Sequence, residues 1–149
     1  MLIRCVSRND ESQWLQMRRK LWPDQAEQEH IDQVNGFFNA ADSTYAVFVA
    51  ECEAGHIVGF CEVGIYNPRQ HDEARLARIE GLFLEPAVQS PSLADMLLSA
   101  AEAWCCSHQC DFCIAESDSE SALVDVYQTR GYNIHSRIVR FVKLLYPDR

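Results

Sequence analysis

The 149-residue chain has no apolar run that reaches the roughly 20 residues needed to span a bilayer. Its opening, Met1-Leu2-Ile3-Arg4, lacks the form of a signal peptide, so the expected location is the cytoplasm. Basic residues are scarce: 13 Lys and Arg face 22 Asp and Glu, for a net charge of −9. That deficit argues against nucleic acid or an anionic membrane as the main partner and permits a cationic small molecule. Internal repeats, low-complexity tracts and interdomain linkers are missing, so one domain, residues 1–149, is expected, with room for a sizeable core. There is no even set of cysteines either. The seven present lie partly in apolar segments and are expected to be reduced and mostly buried rather than paired in a disulfide frame.

What is present, 48% hydrophobic and 23% charged residues, is the composition of a soluble globular protein. Residues 2–6 alternate enough for a first strand. Asp10 or Ser12 can cap a helix carrying Trp14, Leu15, Met17, Arg18, Leu21 and Trp22, which Pro23 stops. Asp24 is placed to cap a second helix over 25–40. Residues 44–52 form a strong β-run, and 57–66 return as its hairpin partner, with Gly59 and Gly64 pointing to a bulge or a close backbone approach. A polar loop over 67–75 follows, then an apolar strand over 76–84 and a helix to Trp104. A short buried strand over 111–115, a helix over 120–130 and a last β-section over 132–145 complete the order β-α-α-β-β-β-α-β-α-β. Hairpins together with crossover helices predict an α/β fold: a twisted, mixed sheet flanked by helices on both faces.

The stretch 79–104 organises the chain. After the strand it turns at Glu85-Pro86 and crosses the loop Gln89-Ser90-Pro91-Ser92. It then becomes a helix with Leu93, Met96, Leu97, Ala100, Ala101 and Trp104 on one face. Strand, polar loop and helix start are the parts that hold a phosphate, because first-turn amides lack intrahelical partners and the helix dipole adds positive potential. Ser90 and Ser92 are candidate caps, and Asp95 falls in the first turn. A plain strand–helix connection is the alternative.

Here the chain resembles the GNAT superfamily of N-acetyltransferases, whose pyrophosphate loop reads Gln/Arg-x-x-Gly-x-Gly/Ala. The corresponding string is Gln89-Ser90-Pro91-Ser92-Leu93-Ala94, with Ser92 in place of the central glycine and Pro91 removing one amide. Tyr127 and Gly131 match the superfamily's helix-ending pattern. Four blocks are similar, in order and spacing, to aminoglycoside 6'-N-acetyltransferases: Leu21-Trp22-Pro23-Asp24, residues 58–63, residues 79–86, and Glu116-Ser117-Asp118.

The resemblance implies acetyl-CoA as cosubstrate, no metal, and direct transfer of acetyl to a primary amine, most simply the 6'-amine of an aminoglycoside, within a homodimer. It assigns the cosubstrate to Leu82, Phe83, Leu84, Gln89, Ser90, Ser92, Leu93, Ala94, Asp95 and Tyr127, and the acceptor to Trp22, Asp24, Tyr66, Glu80 and Asp118. Glu80 or Asp118 would take the proton, Tyr127 would protonate the leaving thiolate, and an amide near Gly64 would meet the thioester carbonyl. A protein that binds cations without turnover is the alternative.

The residues themselves leave other roles open. Glu80 interrupts an apolar strand, where an unpaired carboxylate is costly, so an internal ion pair with Arg75 or Arg78 competes with the functional role. Asp118 can be a helix cap, Trp22 a core residue and Tyr127 one more apolar-face residue. Glu62, Glu73, Glu116 and Glu120 are further candidate carboxylates for the acceptor cleft, with plain solvation the alternative for Glu62 and Glu73. The segment Cys105–Cys113, with Cys110-x-x-Cys113 beside His108, has knuckle-like spacing, but buried thiols are the expected reading.

Overall fold

A computed structural model describes residues 1–40, 44–66 and 74–146. It divides into two compact units, 1–116 and 117–149.

The first unit is built on five strands: β1 (Leu2–Cys5), β2 (Tyr45–Glu51), β3 (Ile57–Ile65), β4 (Leu76–Leu84) and β5 (Phe112–Ile114). They lie in sheet order β1-β2-β3-β4-β5. The first three pairings are antiparallel, β2 with β3 across a tight turn, and β4 with β5 is parallel across a helical crossover. Helices α1 (Glu11–Leu21) and α2 (Glu27–Asn39) pack on one face, where Trp14, Met17 and Val34 meet Val47, Val49 and Phe60. Against the other lies α3 (Pro91–Ser107), whose Leu93, Ala94, Leu97, Leu98, Ala101 and Cys105 are buried at three- and four-residue spacing. The mixed sheet with helices on both faces is therefore as expected.

Several local expectations fail for identifiable reasons. Asp10 precedes α1 but makes no side-chain cap there; its carboxylate takes Arg4 in a bidentate pair (2.7 and 2.8 Å) and the Ser7 amide. Asp24 does not cap α2, which begins three residues later, after Ala26. Strand β5 is shorter than expected and is not buried: Phe112 and Ile114 are exposed at the sheet edge. Of the seven free thiols, Cys61 and Cys105 are buried, three are half-buried, and Cys5 and Cys106 are exposed, so burial is less general than expected. The close approaches expected at Gly59 and Gly64 are real. A Cβ on Gly59 would lie 2.8 Å from the Phe83 carbonyl oxygen, and one on Gly64 2.9 Å from the Tyr45 ring.

In the second unit, α4 (Leu123–Thr129) is preceded by Ser121, whose Oγ accepts from the Leu123 amide at 3.1 Å. Gly131 follows at φ 95°, a left-handed turn that glycine takes without strain. Residues 132–146 contain no strand, contrary to the expected β-section. Ile138, Val139, Phe141, Val142, Leu144 and Leu145 along it are exposed.

Candidate active site

The site is set by an irregularity in β4. Glu62 pairs with Gly81 and Val63 with Ile79, so Glu80 is an extra residue with no partner in the register. Burial alternates through Ala77, Ile79 and Gly81 with Glu80 half-buried between them, and the bulge shows as the consecutive buried pair Gly81 and Leu82. The interruption expected near Gly64 on β3 thus lies one strand over; Gly64 itself pairs regularly with Tyr45 and Arg78.

Glu80 opens onto a cavity of about 540 Å³ between the first two helices and the sheet. Trp14, Trp22, Phe37 and Tyr45 supply aromatic walls, and Arg18, Gln25, Gln33 and Glu62 supply polar ones. Trp22 packs so close to β4 that a Cβ on Gly81 would meet its ring at 2.7 Å, which explains the glycine next to Glu80. The cavity brings together Trp22 and Glu80 from the expected acceptor set. Tyr66 reaches it through its hydroxyl, which donates to the Glu80 carboxylate, and Asp24 is exposed and not in its wall. Glu73 lies outside the described residues.

The expected ion pair of Glu80 with Arg75 or Arg78 is not made. Arg78 instead pairs with Glu116 at 2.5 Å and stacks on Tyr66. Partial burial, reinforced by the charges of Glu62 and Glu116, pushes the Glu80 carboxyl above the ordinary glutamate range.

Glu62 lies in the wall of the same cavity and is not solvated. It is the most enclosed carboxylate among the described residues, at 1% exposure, and is fully engaged. Arg18 donates to both its oxygens at 2.5 Å, the Tyr45 hydroxyl to Oε1 at 2.7 Å, and the Trp14 indole to Oε2 at 3.2 Å. Burial next to this carboxylate drives the Tyr45 phenol far above its ordinary pKa and keeps it a neutral donor. The signal was in the sequence: Arg18 sits on the Trp14–Leu21 apolar face, and Glu62 shares the sheet face of Phe60.

The opposite side of β4 is open. It pairs with β5 only over residues 76–78, so from Ile79 to Leu84 its outer edge has no strand beside it among the described residues. That edge leads through a 3-10 turn at Pro86–Val88 to the start of α3. Leu82 and Leu84 are buried and Phe83 packs on Phe60, so these residues offer main-chain groups. Ser90 is the N-cap of α3: its Oγ accepts from the Leu93 amide at 3.1 Å and its carbonyl from Ala94. Pro91 has no amide to give. This leaves the Ser92 amide, with Gln89 and Ser90 before it, to meet a diphosphate. An unpaired strand edge running into a 17-residue helix fits a pantetheine and its phosphates, with fewer donors than a glycine loop would give.

Asp118 and Tyr127 belong to the second unit. Asp118 is exposed and its carbonyl accepts from the Ser121 amide, so its side chain is not a cap for α4. Tyr127 is buried and meets Tyr132 edge-on at 5.2 Å.

The strand, loop and helix start are the parts the GNAT resemblance calls for, and the profile of the acetyltransferase (GNAT) family matches residues 10–132. The chain belongs to that family. Among named relatives it is 28% identical to aminoglycoside N(6')-acetyltransferase type 1 of Klebsiella aerogenes, over 97% of each chain. It is 29% identical to the Stenotrophomonas maltophilia protein of the same name, covering 98% of this chain and 95% of that one. Its fold superposes with a TM-score of 0.80, at 22% identity and over 96% of this chain and 97% of the other, on AAC(6')-Iy in complex with the bisubstrate analogue CoA-S-monomethyl-acetylneamine.

Proposed function

We propose that this protein is an acetyl-CoA-dependent N-acetyltransferase, a single domain over residues 1–149, that acetylates the 6'-amine of an aminoglycoside by direct transfer. The observation that supports this most is the Glu80 bulge, which has an acidic, aromatic-walled cavity on one side and an open strand edge on the other.

Acetyl-CoA, when bound, supplies the acetyl group as a thioester. The main chain along Ile79–Leu84 and the amides of Gln89, Ser90 and Ser92 hold and orient it, and Ser92 adds a hydroxyl in place of the missing glycine. Trp22 and the other aromatic walls seat a sugar ring in the cavity. Glu80 holds the acceptor amine, which attacks as the free base, and takes a proton from the nitrogen as the C–N bond forms and that nitrogen becomes acidic. The main-chain N–H at the bulge is the donor for developing negative charge, the role expected near Gly64. Asp118 as a second amine-binding carboxylate and Tyr127 as the acid for the thiolate follow from the family resemblance and the chemistry of their groups.

Incubation with acetyl-CoA and kanamycin is expected to release free thiol and yield a mono-acetylated product at the 6'-amine. Aminoglycoside binding with no thiol release would instead mark a sequestering protein. Pro91 and the Ser90–Leu93 bond, which withhold amides from a diphosphate, favour that second reading.

The partner we propose for residues 132–146 is a second copy of the chain. Their exposed apolar side chains, together with the exposed edge strand β5, are what a β-exchange between protomers would cover. Light scattering is expected to give a dimer. Truncation after Ser136 is expected to give monomers or aggregates, and a monomeric full-length chain would dispose of the pairing. The working location proposed is the cytoplasm; no helix among the described residues is long and apolar enough to cross a membrane.

A further inference from the structure

The buried pair at the floor of the cavity fixes the direction of a hydrogen-bond chain that reaches the cavity mouth. Glu62 accepts from Arg18 Nη1, and Arg18 Nη2 donates to Gln33. A guanidinium has only donors, so the Gln33 atom facing it is the amide oxygen. The same oxygen accepts from Gln25 Nε2 at 2.8 Å. With its oxygen taken twice, Gln33 keeps both Nε2 hydrogens as its means of bonding anything else. Gln33 is exposed and lines the same cavity as Glu80. One part of the wall therefore offers a carboxylate to an ammonium, and another offers an amide donor, which an ammonium cannot satisfy and an oxygen can.

We propose that Gln33 is a specificity-determining residue that donates to an ether or hydroxyl oxygen of the acceptor, so that the cavity selects an amine carried on an oxygenated ring over an alkylamine or polyamine. This rests on the cavity being the acceptor site of the acetyltransferase reading and adds the chemistry of what it accepts. Arg18 is a positioning residue here, acting through the orientation it imposes on the amide.

Gln33→Glu tests this with little disturbance, because a carboxylate still accepts from Arg18 and Gln25 while the two donor hydrogens disappear. Suitable probes are tetrahydropyranylmethylamine and cyclohexylmethylamine, which differ by one ring oxygen able only to accept. Wild-type kcat/KM is expected to favour the ether about 2- to 10-fold, the worth of one hydrogen bond. Q33E is expected to erase or reverse that preference through KM, and to gain on bis(aminomethyl)cyclohexane relative to the monoamine. A merely structural role would slow all three alike.

If both monoamines are acetylated with the same ratio in wild type and Q33E, the inference is overturned and the acetyltransferase reading stands. If neither is acetylated, that reading fails for these acceptors. Quenching of the wall tryptophans by the same amines then decides: a wild-type preference for the ether that Q33E loses supports the role of Gln33, and equal affinity or no binding overturns it.

Discussion

Glu80→Gln is expected to lower kcat/KM for an aminoglycoside by roughly 100- to 10,000-fold, the range for loss of a positioned general base. Melting temperature is expected to stay near that of the wild type, because the half-buried Glu80 has no cationic partner among the described residues and a glutamine oxygen can still accept from Tyr66. The pH profile separates a base from a binding residue. Burial and the neighbouring Glu62 and Glu116 raise the Glu80 pKa, so its proton-accepting form is lost at a higher pH than in a free glutamate. The acidic limb of kcat/KM in the wild type should therefore fall above the ordinary carboxylate range and vanish in the glutamine variant. An unchanged limb would assign the proton to another group.

The second large effect is on stability. Arg18→Met removes the counter-charge of Glu62 while leaving its carboxylate 1% exposed. Stranding a buried charge in this way costs about 3–5 kcal/mol. For a chain of this size that corresponds to a fall in melting temperature of roughly 6–20 °C. The double variant R18M/E62Q is expected to recover much of the loss, since a neutral amide needs no counter-charge: its oxygen still accepts from Trp14, and its NH2 donates to the Tyr45 hydroxyl oxygen in place of the bond Tyr45 gave to Oε1. Thermal and urea unfolding of the three proteins measures this. A loss under about 1 kcal/mol for R18M would mean that water reaches the pair as it reaches a surface salt bridge.

Much of the fold was legible in the sequence because its signals are local. The strands from Tyr45 to Glu51 and from Leu76 to Leu84 are strong β-runs, and α3 follows from Leu93, Leu97 and Ala101, although its buried face is turned so that Ala94, Leu98 and Cys105 complete it and Met96 is exposed. What failed depends on partners distant in sequence. Asp10 reads as a cap until Arg4 claims it across six residues. Glu62 reads as a cleft carboxylate or a solvated one until Arg18, 44 residues away, is found beneath it. The run at 132–145 has strand composition, but a strand is defined by its neighbour, and the chain on its own provides none there.

The candidate site divides in the same way. Glu80 was visible as a charge in an apolar strand, and Trp22 as its neighbour by resemblance. Gln33 was hidden, because nothing in a surface glutamine on α2 reveals which way its amide is turned. The bulge was hidden as well, since one extra residue in β4 is seen only against the register of β3.

Turnover depends on the proposed cosubstrate site at the open edge of β4 and the start of α3, despite Pro91 and Ser92. Calorimetric titration with acetyl-CoA tests it most directly. A saturable heat with one site per chain, retained with CoA lacking the acetyl group, is the predicted result; no heat from either compound at millimolar concentration would contradict the account.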